Sequence, residues 1–189
     1  MSRSYLVSVR DCQTRTVCAE DHVQTSLEIL EVLPPEQMAG LLADELERRG
    51  FQRGGGRLTR AQNGVTITVD PATATVVVAA QDSERANIEA ERSDRAYDDL
   101  GPHAKVVRDN LKKQLEKDID RKANEKTKGL QTKVTDRLER ELVEVRQELD
   151  RVVNRVTAEA LKRKAAQMGQ IKAITEDPET GSLTLVVEV

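Results

Sequence analysis

The sequence predicts an α+β protein with a small antiparallel-sheet head carrying one packed helix, a long coiled-coil-like helical segment, and a C-terminal β-hairpin. Three observations lead there. Short β-branched runs punctuated by turn residues fill positions 4–80. No proline interrupts the chain between Pro102 and Pro178, and apolar residues recur through that stretch at helical spacing. Positions 170–189 then return to strand composition on either side of Asp177-Pro178-Glu179-Thr180-Gly181. Composition agrees. Of 189 residues 33 % are charged, above the globular norm of about 25 %, which signals a long exposed helix. Aromatics make up 2 %, with no Trp, so aliphatic side chains must fill any core.

The head reads from its periodicities. Tyr5, Val7 and Val9 alternate with Leu6 and Ser8, residues 14–20 make a second strand, and Val23, Thr25, Leu27 and Ile29 alternate with Gln24, Ser26 and Glu28 in a third. Pro35 suits a first helical turn, and Met38, Leu41, Leu42 and Leu46 then form one apolar stripe. Arg48 and Arg49 suit the negative end of that helix. Gly50 suits the left-handed position just past it, with Leu46 and Phe51 placed for the hydrophobic contact of a Schellman stop. Leu58–Gln62 and Val65–Val69 face each other across Asn63-Gly64, the strongest short hairpin signal. A second turn at Asp70-Pro71-Ala72-Thr73 leads to Thr75–Ala80.

These readings divide the chain into an α+β head over 1–80, a charged linker or edge strand over 81–101, a long helix or helical hairpin over 102–168, and a hairpin over 170–189. In the linker Ala86, Ile88 and Ala90 alternate with Asn87, Glu89 and Glu91; a weak helix or a loop is the other reading of that stretch. In the helix Val107, Leu111, Leu115, Ile119 and Ala123 repeat every four residues. Leu130, Val134, Leu138, Leu142, Val145, Leu149, Val152 and Val156 continue the stripe and approach a heptad pattern. Unbroken, residues 102–168 would run about 100 Å. The expectation is that no small head covers such a stripe and that it holds a second helix, making the chain a homo-oligomer. Gly129 is the one candidate break. A lone Gly costs about 1 kcal/mol inside a helix and no turn cluster surrounds it, so a continuous helix is favoured over a hairpin. The C-terminal hairpin needs a docking surface of its own, because two strands alone are marginal in water.

Several chemistries fall away. Arg53-Gly54-Gly55-Gly56-Arg57 lacks the strand before, the Lys-Ser/Thr pair and the helix after that a phosphate loop requires, and reads as a flexible connector. Cys12 and Cys18 lack CxxC spacing; Asp98-Asp99, His22 and His103 have no companions for acid–base or metal chemistry. No catalytic residue, cofactor, metal or small-molecule substrate is expected. No apolar run of membrane-spanning length and no signal peptide is present, which points to the cytoplasm. Residues 104–168 hold 18 Lys+Arg against 12 Asp+Glu, while the remainder holds 12 against 21. That surplus supports a second reading, a nucleic-acid face over 105–133 built on Lys112, Lys113, Lys117, Arg121 and Lys122. Interleaved acids and missing aromatics favour a solvated helix face instead.

Ala19-Glu20-Asp21-His22-Val23-Gln24-Thr25, Leu33-Pro34-Pro35-Glu36-Gln37-Met38, Arg95-Ala96-Tyr97-Asp98-Asp99-Leu100-Gly101-Pro102, Val152-Val153-Asn154-Arg155-Val156-Thr157-Ala158-Glu159-Ala160-Leu161 and the Asp177–Gly181 tail are spread over most of the chain. In these segments the sequence resembles the FtsH ternary system domain proteins, small partners encoded beside bacterial AAA+ ATPases. The resemblance implies a non-enzymatic subunit working with an AAA+ ATPase in a stress or conflict-response system. It carries over no functional residues.

Overall fold

A computed structural model describes residues 4–97, 103–176 and 183–188. In chain order the elements are β1 (Ser4–Ser26), α1 (Pro35–Arg48), β2 (Gln52–Gly54), β3 (Arg57–Gln62), β4 (Val65–Asp70), β5 (Thr75–Tyr97), α2 (Ala104–Met168), β6 (Gln170–Glu176) and β7 (Leu183–Glu188). The first five strands form one antiparallel sheet in the order β1-β5-β4-β3-β2, and β6 pairs with β7 in a separate two-stranded sheet. The fold is α+β, as its residue pattern anticipates.

Two elements differ from the local reading. The three short N-terminal strands are one strand of 23 residues, and Leu27 and Ile29 lie beyond its end. Residues 81–97, ambiguous by composition, continue β5, also 23 residues long. No proline or glycine interrupts either run, so pairing between the two strands carries each through its polar stretches. The Gly-rich connector is a hairpin in which Gly54 pairs with Arg57 around Gly55-Gly56. The Asp98-Asp99 pair and the Asp177–Gly181 turn lie outside the described residues.

The chain folds into two compact units. One contains β1 up to Glu20, β5 from Gln81 and α2 up to Thr135. The other contains Asp21–Ala80 and the chain from Asp136 onward. The head expected over 1–80 is therefore divided, its first strand shared between both units.

In the first unit a helix covers one face of a two-stranded ribbon. Ala86, Ile88 and Ala90 of β5 bury against Leu115, Ile119 and Ala123 of α2, with Val9 of β1 packed alongside. Val7, Ala96, Val107 and Leu111 form a second cluster toward the strand and helix ends. The i, i+4 apolar row of the helix thus matches the alternate residues of the strands.

In the second unit the local signals hold. Pro35 occupies the first helical turn, and Met38, Leu41, Leu42 and Leu46 are buried. At the helix end Phe51 N–H donates to Leu46 O and Gly50 N–H to Glu47 O, the bonding pattern of a Schellman stop, with Gly50 at φ +86°. Asn63 and Gly64 both have positive φ, as the two-residue hairpin turn between Gln62 and Val65 demands. Asp70 closes the next turn by accepting from Ala72 N–H at 3.1 Å, and β4 pairs with β5 from Val65–Ala80 to Asp70–Thr75. Val69, Val76 and Ala80 are fully buried.

Helix α2 runs unbroken through Gly129, whose missing Cβ would meet nothing within 4 Å. Gly129→Ala is accordingly expected to stabilise the protein by about 0.5–1 kcal/mol, through the helix propensity of Ala and a less flexible unfolded chain. Chemical denaturation checks it. A loss of stability would mean that Gly129 serves a bend.

Candidate interaction surface

The apolar stripe of α2 is the largest feature the sequence singles out. Leu130, Val134, Leu138, Val145, Leu149, Val152 and Val156 are all less than 8 % exposed within the single chain, and Leu142 is half-buried. In the second unit Leu142, Val145 and Leu149 share a groove with Val76 and Val78 of β5, and Asn63 Nδ2 donates to both carboxylate oxygens of Glu141 at 3.1 and 3.0 Å. These stripe residues thus lie beside the chain's own sheet, and Val156 lies beside Leu41 of α1. A second helix on the stripe would have to displace that packing.

The basic residues do not gather on one side. On a helix turning 100° per residue, Lys113, Lys117 and Arg121 share a side, while Lys112 and Lys122 lie elsewhere. Lys122 Nζ donates to Glu89 O of β5 at 2.6 Å. Arg121 pairs with Asp118 at 3.4 Å and Glu125 at 4.0 Å. Lys117 and Lys128 border a shallow depression together with Asp120 and Glu125. All five lysines and arginines are solvent-exposed, with acids between them.

Polar networks escape the sequence reading. On the helix-facing side of β1, at the parity of Val7, Val9, Val17 and Ala19, stand Asp11, Gln13 and Arg15. Gln13 Nε2 donates to Asp11 at 2.9 Å, Arg15 donates to Gln13 Oε1 at 3.2 and 3.0 Å, and Arg15 Nη1 donates to Asp120 of α2 at 2.7 Å. Three polar residues at an apolar parity are the signal that could have revealed the ladder. Further along, Arg92 forks onto Asp118 and Gln114, and its hydrogen bonds hold the Asp118 carboxyl below the usual carboxylate range.

A tighter clamp joins β3 to α2 in the second unit. Arg60 donates through both terminal nitrogens to Glu148, one bond at 2.8 Å, and also to Arg49 O at 3.1 Å. Its guanidinium lies 4.5 Å over the Phe51 ring. The hydrogen bond from Arg60 is the main cause that lowers the Glu148 carboxyl from its ordinary value, against a desolvation effect that raises it.

A groove lies beside the stripe. It measures about 820 Å³. Val23, Thr25, Ser26 and Leu27, Val76 and Val78 of β5, and Leu142, Val145, Leu149, Val153 and Asn154 of α2 line it. Glu28, Arg146 and Asp150 border it. Val23 at 41 % and Val143 at 60 % exposure leave apolar surface open in the same unit. Such a lining offers contact area and shape to a partner and presents no reactive side chain. Among the described residues no group of His, Cys, Asp and Glu could hold a metal ion. No described helix is long and apolar enough to cross a membrane.

No curated protein and no solved structure matches the chain. The description that does match, over residues 1–189, is FtsH ternary system domain X5. That match spans the segments quoted above from Ala19 to Gly181, and the chain belongs to the FtsH ternary system domain X5 family.

Proposed function

We propose that this chain is a non-enzymatic binding subunit of an FtsH-containing ternary system, acting with the AAA+ ATPase of that system in a bacterial stress or conflict response. The whole-chain family match carries the reading. The 820 Å³ groove supports it, because a trough of mixed apolar and polar lining, with Glu28, Arg146 and Asp150 among its residues, fits an extended or helical partner segment. Most of the stripe from Leu130 to Val156 is covered inside the chain, and Leu142, Val145 and Leu149 of it line the groove. The docking role falls to the groove residues left partly open, Val23, Leu142 and Val153.

The test is co-purification of the tagged chain with the ATPase of its own system, followed by titration. Wild-type chain is expected to bind and to change ATP turnover. Val23→Asp combined with Val153→Asp is expected to weaken binding at least about tenfold, since each charge removes an apolar contact worth about 1 kcal/mol or more. An ATPase that neither binds the folded chain nor responds to it would end the reading.

A further inference from the structure

The outermost strand of the five-stranded sheet points to a second copy of this chain. β1 stands at the end of the strand order, so among the described residues one of its edges has no strand beside it. Within residues 10–20 side chains stand in for the missing ladder at two places: Cys12 N–H donates to Asp11 Oδ1 at 2.9 Å, and Glu20 O accepts from Gln131 Nε2 at 3.1 Å. Both residues are even-numbered, and alternate residues of a strand direct their main-chain groups to the same side. An open edge with regular spacing is a template for another strand.

The sequence of that edge is self-complementary about Arg15. We propose that two copies pair antiparallel along residues 10–20, with a two-fold axis at Arg15. This register sets Arg10 opposite Glu20 of the second copy, Cys12 opposite Cys18, and Thr14 opposite Thr16, each twice. All six are exposed on the face away from α2. Opposite charges and Thr–Thr pairs are favourable cross-strand neighbours. The Glu20 carboxylate has no partner among the described residues. Arg10 now holds Glu89 through a bridge that is 65 % and 57 % exposed, loose enough to share. On the helix-facing side the one like pair is Arg15 against Arg15, and each is already neutralised by its own Asp120 at 2.7 Å. Width permits the pairing. Two strands span about 10 Å, the diameter of the one helix that covers them, so two copies tile as four strands beneath two helices. Isologous pairing closes on itself at β1, because each copy's β1 edge is used by the other.

Cross-linking of the full chain under a short bis-maleimide tests the register. Wild type is expected to yield a covalent dimer. Cys12→Ser and Cys18→Ser are each expected to yield none, because the like cysteines of two copies stand six residues apart, about 20 Å. An equal mixture of the two variants is expected to restore it. Arg10→Glu is expected to weaken the dimer about tenfold, and adding Glu20→Arg to recover it. A single-chain mass for wild type by light scattering, a cross-link surviving in either single variant, or no recovery in the charge-swapped pair would overturn the proposal. Because it uses an edge apart from the groove, its failure leaves the binding-subunit reading intact.

Discussion

Leu138→Asp is expected to lower the melting temperature by about 10 °C or more while leaving the mass of the remaining folded protein unchanged. Leu138 is 2 % exposed, and Val134 one turn earlier is fully buried. Truncating such a leucine loses about 2–3 kcal/mol of apolar burial, and placing a carboxylate there adds a desolvation cost, for about 4–5 kcal/mol in all. In a chain of this length each kcal/mol moves the midpoint by about 2–4 °C. Val143→Asp, on the same helix at 60 % exposure, is the matched control and is expected to change the midpoint little. Leu142→Asp, half-buried in the groove, falls between them. Calorimetry with light scattering on all three decides the matter. If Leu138→Asp changed assembly while the fold stayed intact, the stripe would be an interface after all.

Glu148→Gln is expected to cost about 2 kcal/mol at neutral pH. Arg60 keeps its place over Phe51 but loses the charge that compensates a guanidinium whose side chain is only 16 % exposed. Breaking one partner of a fully buried pair costs about 3–5 kcal/mol, and the 27 % exposure of Glu148 reduces that figure. The direction of the Glu148 shift sets the pH dependence. Its carboxyl is lower in the folded protein than in the unfolded chain, so folding favours the ionised form. The contribution is therefore complete above the unfolded value near about 4.3 and disappears as pH falls through the lower folded value. Wild type and Glu148→Gln are expected to differ most at neutral pH and to converge below about pH 4. Urea denaturation at several pH values checks it, and a gap that stays constant into acid would mean that the clamp is packing without charge. Arg60→Met, which keeps an apolar body near Phe51, closes a double-mutant cycle whose coupling isolates the ion pair.

How much of this was legible in the residues depends on the range of the interaction. Pro35, Gly50 and Phe51 announce the ends of α1, and Asn63-Gly64 announces its hairpin, because each acts within a few residues on backbone angles and nearby hydrogen bonds. The period of α2 is equally plain. Which surface answers its apolar stripe is not, since Ile119 meets Ile88 and Arg60 meets Glu148 from far along the chain. The same holds for β1. Asp11, Gln13 and Arg15 break the apolar alternation that would have marked one long strand, and their hydrogen bonds to one another and to the Asp120 carboxylate satisfy them there.

Sequence alone determined α1 and its ends, the Asn63-Gly64 turn, the helical character of α2 and the family, all of which rest on local chemistry or direct likeness. Tertiary structure decided that β1 and β5 are each one long strand and that the helix stripe is covered from within. It also brought Val23 and Val153 into one groove. The physical reason is that burial is shared between residues distant in sequence. A periodic stripe states that it must be covered, and only the folded chain states by what.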